Sequence, residues 1–443
     1  MEAVLLFIAG VLVVIVGLAV SIGLHEVGHL LPAKLFKVRV GQYMIGFGPT
    51  IFSKRFGETE YGFKWIPLGG YISMSGMYPP TRKGGKPRDA STGFFDTLVQ
   101  DARDSSAETV VEGEEHRTFF SLAVWKKLII MLGGPMMNLV LAVLLYGILL
   151  CGFGVAQPST TVATVSECVI SSAEERTECE ADDPLAPAAA GGILPGDEIL
   201  SFGGEEVTSW EAMQGLIRER AGEESQVEVL RDGERVTLTV EPLESERPVV
   251  DRWGQPIRED GAYVTEPVGF IGIGPQYETV QQPASAVLPA VGENVERVGH
   301  MILHLPQRLW DVGVAAFGQG ERDPNGPLSV VGVGRLSGEI ASNDQIPIVE
   351  RIASMVGLLA SLNVALFVFN LIPLMPLDGG HILGALVDAV RRRLAKLFGR
   401  PDPGPLDTAK WVPVTLAVSA LLLVMGVLLI YADIVKPITL GGP

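Results

Sequence analysis

Four stretches of the chain carry no Asp, Glu, Lys or Arg: Ala3 to Leu24, Leu128 to Ala156, Ile352 to Leu377 and Trp411 to Ala432. Each exceeds 20 residues, and at 1.5 Å per residue a helix of that length crosses a hydrocarbon core of about 30 Å. Between the first two, residues 38–75 alternate in places with period two, most clearly at Tyr61, Phe63 and Trp65, around a turn at Gly57 to Glu60. That pattern predicts β-hairpins. From Thr160 to Pro242, short β-prone runs surround one helix-like stretch, Ser209 to Arg220, and the run after it predicts a hairpin across Asp232-Gly233. Residues 79–118 are polar and punctuated by Gly and Pro, which predicts a flexible insert.

Composition turns this pattern into a membrane protein. At 443 residues and 47% hydrophobic, the chain is too apolar for an ordinary soluble protein and too long for one compact domain. No small-residue cleavage pattern follows Leu24, so the first span reads as a retained helix and not a signal peptide. Residues 31–127 hold 14 Lys and Arg against 10 acids, with Lys34, Lys37, Lys126 and Lys127 at the helix ends. Such clustering marks a cytoplasmic loop, and Arg391 to Lys396 mark the same face after the third span. Residues 157–350 hold 34 acids, 12 arginines and no lysine, so this region and both termini are expected outside. The net charge of −17 argues against nucleic acid as a partner, since a binder needs a basic surface.

The first span ends in His25-Glu26-Val27-Gly28-His29. A charged group at membrane depth costs about 2.5–3.5 kcal/mol on insertion scales and usually marks a function. Histidines four apart share one helix face a turn apart, close enough to hold one ion. Two neutral imidazoles would ligate Zn²⁺, and Glu26 would accept a proton from the attacking water. A third ligand must come from elsewhere. Asp378, in Phe369 to Ile382, has no acidic residue before it back to Glu350, and Pro373, Pro376, Gly379 and Gly380 break the helix around it. Broken backbone at membrane depth is tolerated where it lines a cavity or meets an ion. The bland alternative is an aspartate capping the next helix.

With HEVGH in the first span, NLIPLMPLDGG in the third and this segment order, nearly the whole chain resembles the bacterial site-2 proteases, RseP-like intramembrane zinc metalloproteases. The resemblance implies that His25, His29 and Asp378 bind Zn²⁺, that Glu26 is the general base, and that Asn370 assists the substrate or oxyanion. Family members often carry a second asparagine five residues before the position of Asn370; here that position is Ala365, and the nearest candidate is Asn363. The GFGP and PLGGY segments resemble a re-entrant β-structure beside the zinc, which makes Phe63, Trp65, Gly69 and Gly70 candidate substrate contacts. A strand edge there would accept the backbone groups of an unwound helix. Gly192 to Gly204 resembles the PDZ modules of this family, with a plain β-rich spacer as the alternative.

The expected fold is a polytopic α-helical membrane protein with four transmembrane helices, a membrane-associated β-hairpin region and an extracytoplasmic PDZ-like α+β domain. The expected segments are a first span at 1–36, the re-entrant β region at 37–78, a flexible cytoplasmic insert at 79–123 and a second span at 124–156. A PDZ-like domain follows at 157–245, then a linker and membrane-surface helix at 246–350, a third span at 351–381, a cytoplasmic loop at 382–410, a fourth span at 411–434 and an outer tail at 435–443. The expected function is cleavage, in a bacterial plasma membrane, of single-pass membrane proteins such as an anti-sigma factor after a first outer cut, or of signal peptides. A membrane zinc carrier using the same three ligands is the alternative.

Other features weigh less. Cys168 and Cys179 flank an acidic outer insert, where an oxidising compartment allows them to pair or they stay two thiols. Glu296, His300 and His304 form a rival spacing at steps of four, without a glutamate after the first histidine. His116 reads as a solvated loop residue and His381 as a structural neighbour of Asp378.

Overall fold

The computed structural model describes residues 1–79, 94–170, 179–180, 182–251, 257–259, 262–318 and 322–439. The chain begins with α1 (Glu2–Leu35), β1 (Val40–Phe56), β2 (Thr59–Met74), α2 (Phe94–Glu108) and α3 (Val124–Gly147). A mainly β segment follows: β3 (Val155–Val165), α4 (Pro187–Ala190), β4 (Glu198–Phe202), β5 (Glu205–Glu206), α5 (Trp210–Glu219), β6 (Ser225–Arg231) and β7 (Glu234–Val240). It continues through β8 (Leu243–Pro248), β9 (Arg258–Glu259), β10 (Ala262–Tyr263), β11 (Thr265–Phe270) and β12 (Ile273–Val280). Helices close the chain: α6 (Val287–Leu303), α7 (Leu305–Phe317), α8 (Val330–Ser342), α9 (Ile348–Asn370), α10 (Asp378–Leu397) and α11 (Val412–Val435). These residues form two compact units, 1–153 with 283–443, and 154–282.

In the first unit four helices are long and apolar enough to cross a membrane: Glu2–Leu35, Val124–Phe153, Ile348–Asn370 and Thr408–Val435. Their lipid-like faces are exposed Leu, Val and Ile, as at Leu5, Leu12, Val16, Leu421 and Val424. Where α1 meets α3 the backbones nearly touch: a Cβ on Gly28 would lie 2.2 Å from the Gly133 carbonyl oxygen, and one on Gly133 2.0 Å from that of Gly28. Only glycine permits this approach, and it brings α3 against the histidine face of α1.

The β region is one long antiparallel ribbon folded on itself. Residues 40–45 of β1 pair with the end of β2 on one side (Val40 with Met74, Ile45 with Gly70) and with its beginning on the other (Tyr43 with Tyr61, Ile45 with Phe63). The far half of β1 pairs with the start of β2, as Phe56 with Thr59. The expected strands and their turn are therefore present, with repeated register shifts that bend the ribbon.

Several expectations need correction. The second half of the supposed flexible insert is α2, followed by short 3₁₀ turns whose Phe119 is buried with Leu30, Val38, Val40 and Ile130. Its Arg103 is paired with Asp407 and its Thr109 accepts from Ser75 and donates to Ser106. Polar composition concealed a helix whose apolar face is short; residues 80–93 of the insert lie outside the described ones. The expected loop at 382–410 is mostly helix α10, which extends to Leu397. The single surface helix expected around 294–310 is two, α6 and α7, separated at His304 because Pro306 starts the second. A further helix, α8, was not anticipated; it crosses α1 where Gly10 faces the Ser337 carbonyl.

The second unit is built on a sheet of order β12-β3-β4-β6-β7, with β5 beside β4. Its core is Val162, Ile193, Ile199, Phe202, Met213, Val227 and Val229. The hairpin across Asp232-Gly233 forms, with both residues at positive φ (50° and 84°), as a two-residue turn of this hand requires. The helix predicted around Ser209 is α5, whose N-cap Ser209 accepts from the Ala212 amide. The unit runs past the expected end at 245 because β12 pairs along β3 from Ile273 to Val280. Cys168 and Cys179 are joined by a disulfide with Cα atoms 5.9 Å apart.

Asp197, 1% exposed, ties the turn before β4 to β6: it accepts from Arg231 Nε at 2.8 Å, Arg231 Nη2 at 2.7 Å and the Leu194 amide at 2.9 Å. The Arg231 bonds hold its carboxyl below the usual carboxylate range. A lowered folded pKa contributes stability fully above the unfolded value of about 3.9 and loses it as pH falls through the folded value. Asp197→Ala is expected to weaken hydrogen-exchange protection of this unit at pH 7, with the gap to wild type shrinking below about pH 4. A gap that stays constant across that range would mean the carboxylate is not the source.

Candidate metal centre

Three donor atoms from two helices converge inside the first unit. His25 Nε2 and His29 Nε2 are 3.1 Å apart, and Asp378 Oδ2 lies 3.2 Å from the first and 3.3 Å from the second. Ligands bound tetrahedrally at about 2.0–2.1 Å from one Zn²⁺ lie about 3.3 Å from each other, so the spacing fits a shared ion. Asp378 Oδ2 is buried and has no hydrogen-bond donor. Such an atom is costly unless a cation meets it. Among the described residues this is the one group of His, Cys, Asp and Glu placed to hold a metal.

The histidines are keyed from behind. His29 Nδ1 is 2.7 Å from the Ile130 carbonyl oxygen and His25 Nδ1 is 2.6 Å from Asn138 Oδ1, both partners being on α3. A carbonyl can only accept, so His29 carries its proton on Nδ1 and turns the Nε2 lone pair toward the shared point. The backbone of α3 forms the floor: a Cβ on Gly134 would lie 2.2 Å from His29 Nε2 and 2.7 Å from His25 Nε2.

Asp378 reaches the site through the break between α9 and α10. Helix α9 ends at Asn370, residues 371–377 turn with a cis Met375-Pro376 bond, and Asp378 opens α10. It is the first helical residue and makes no capping bond, which removes the bland reading. The glycines after it have ordinary helical backbone; their value is closeness, since a Cβ on Gly379 would lie 2.2 Å from the Ile372 carbonyl oxygen.

The remaining sequence candidates scatter. Glu26 is buried on α1, within electrostatic reach of His29, His25 and Asp378. Gly70 of β2 passes beside it, its Cβ position 3.0 Å from Glu26 Cγ. Gly69 has φ of 122° and packs on the Phe47 ring. Phe63 and Trp65 are 54% and 70% exposed. Asn370 donates to the Leu366 carbonyl of its own helix. Asn363 is buried and takes a hydrogen bond from Asn138. Among the described residues Glu296, His300 and His304 do not form a group placed to hold a metal, and His304 Nδ1 is bonded to the His300 carbonyl. His116 is exposed in a 3₁₀ turn. Sequence reasoning missed Asn138 and Gly134. Asn138 was detectable as the lone amide in the charge-free run Leu128 to Ala156.

A helix-borne His-Glu-x-x-His pair with a distant carboxylate, set among helices of membrane-spanning length, has the pattern of a membrane metalloprotease centre. Residues 13–400 match peptidase family M50. The chain is 32% identical to the zinc metalloprotease Rip1 of Mycobacterium tuberculosis over 98% of its own length and 100% of that protein. It is 30% identical to Rip1 of Mycolicibacterium smegmatis over the same shares, and 29% identical to the metalloprotease MmpA of Caulobacter vibrioides over 85% of each chain. The chain belongs to peptidase family M50, the site-2 proteases. It is a membrane zinc metalloendopeptidase of that type.

Gly134→Ala is expected to remove bound zinc, measured as metal content of purified protein, because the added methyl occupies the histidine donors' space. Alanine is about 1 kcal/mol better than glycine within a helix, so loss of helix stability would not account for the result. Full zinc content in this variant would place the ion elsewhere.

Proposed function

We propose that His25, His29 and Asp378 hold the zinc, that Glu26 is the general base, and that the enzyme cleaves the membrane-spanning segments of single-pass proteins. The observation that carries this reading is the 3.1–3.3 Å spacing of three donor atoms around one point. Zinc bound there would bring the pKa of a water to about 7 and polarise a peptide carbonyl. Glu26, one residue from His25, takes the proton of the attacking water and passes it to the departing amine. Asn370 would support the oxyanion with the amide hydrogen its helix bond leaves over.

A spanning helix keeps its backbone groups paired, so its peptide bonds must be freed before attack. The β ribbon supports that step: Gly70 runs beside Glu26, and an extended segment laid along β2 past Gly69, with Phe63 and Trp65 as contacts, would recover hydrogen bonds lost by unwinding. In the outer unit, the sheet and α5 support a PDZ-like module that screens substrates by size or by a trimmed end. The charge pattern supports a plasma-membrane enzyme with both termini and the 154–282 unit outside. A substrate already cut on that side, an anti-sigma factor or a leftover signal peptide, fits this arrangement.

Glu26→Gln should lower cleavage by about 10²–10⁴-fold with zinc content unchanged, because the amide cannot take a proton and is not a ligand. Loss of zinc with activity would make Glu26 structural. In substrates, replacing Gly or Pro of the spanning segment with Leu should slow cleavage by purified enzyme in bilayers, since a better helix former opens less readily. Equal rates across such a series would show that unwinding is not limiting.

A further inference from the structure

His29 is oriented by a backbone carbonyl, but His25 depends on a side-chain amide, and an amide can turn either end toward it. What fixes that choice is a chain of hydrogen bonds through three helices. Asn138 of α3 is fully buried, Asn363 of α9 is 1% exposed and Ser21 of α1 is 6% exposed. Asn138 Nδ2 donates to Asn363 Oδ1 at 3.0 Å. Asn363 Nδ2 donates to both Ser21 Oγ and the Leu359 carbonyl oxygen, each at 2.9 Å. Ser21 Oγ in turn donates to the Gly17 carbonyl at 2.9 Å.

The two carbonyls at the end of this chain cannot donate, and they set its polarity. Leu359 demands the nitrogen of Asn363, and the Ser21 hydroxyl, having spent its proton on Gly17, demands it too. Asn363 therefore presents its oxygen to Asn138. Asn138 must answer with its nitrogen, which leaves its oxygen for His25. His25 then carries its proton on Nδ1 and presents the Nε2 lone pair to the zinc. The reversed arrangement would set like groups face to face in a dry interior, where unpaired polar atoms are expensive.

We propose that Asn138, Asn363 and Ser21 are positioning residues that select the metal-binding tautomer of His25, with Asn363 acting at one remove through Asn138. The inference rests on His25 being a zinc ligand, as proposed above. It gives a role to Asn363, whose hydrogen bonds go to Asn138, Ser21 and Leu359, and it ties α9 to the metal centre.

The test is zinc affinity, measured on full-length protein in detergent, stripped with a chelator and titrated with Zn²⁺ against a competing indicator. Asn138→Leu should weaken zinc binding about 10–100-fold, the usual cost of losing a partner behind a histidine ligand. Asn363→Leu should weaken it comparably, because Asn138 is then free to turn its nitrogen toward His25. Asn138→Asp should bind zinc more tightly than Asn138→Leu, since it presents an acceptor to His25 whichever way it turns, although its second oxygen then faces Asn363 Oδ1. The decisive variant combines Asn138→Asp with Asn363→Leu: affinity should return to the Asn138→Asp level, a rescue that repair of packing would not produce. Asn363→Ala, which likewise removes the acceptor that holds the Asn138 nitrogen, should weaken binding comparably, and it serves if Asn363→Leu fails to fold. Unchanged affinity in Asn138→Leu, or no rescue in the double variant with equal thermal midpoints, overturns the relay. His25→Ala separates the two readings: unchanged zinc affinity there would instead refute His25 as a ligand.

Discussion

The structure depends on a buried charge problem among helices of membrane-spanning length. Two imidazole nitrogens and one carboxylate oxygen sit within 3.3 Å of each other, buried, with no hydrogen-bond donor for the carboxylate oxygen. Without a cation such a cluster is expensive; with one, as proposed, it would hold α1 and α10 on a single point, with α3 behind the histidines. The glycines at 28, 133 and 134 let α3 come close enough to floor the site and key both histidines. The break after Asn370 is what lets a carboxylate arrive from the other end of the sequence.

From that point the functional parts follow by proximity. Glu26 is on the same helix as both histidines, one residue from the first, so the proposed base would need no separate scaffold. The folded ribbon of β1 and β2 brings Gly70 against Glu26, which sets a pleated backbone where an unwound segment would have to lie. In the proposed reaction a helical substrate would meet a strand beside the reacting groups, the arrangement that peptide hydrolysis in a water-poor setting calls for.

Much of this was legible in the sequence because its signals are local or chemically costly. The four spans could be read from absent charges, the histidine pair from its spacing, and Asp378 from being an isolated acid in broken helix. Strands β6 and β7 and their Asp232-Gly233 turn were legible from alternation and turn chemistry. What escaped is relational. Asn138 and Asn363 are 225 positions apart in sequence, and nothing local says that one amide will orient the other. Gly134 looks like any membrane glycine until the histidines are placed above it. Helices α2, α8 and α10 were missed because their polar faces resemble loops, and only packing on neighbouring elements reveals the apolar face.

X-ray absorption at the zinc edge of the purified enzyme reads the proposed ligand set. The wild type should show one zinc with only nitrogen and oxygen neighbours at about 2.0–2.1 Å and an imidazole signature of two histidines, falling to one in His25→Ala. A sulfur shell at about 2.3 Å, or an imidazole signature untouched by that substitution, would contradict that ligand set.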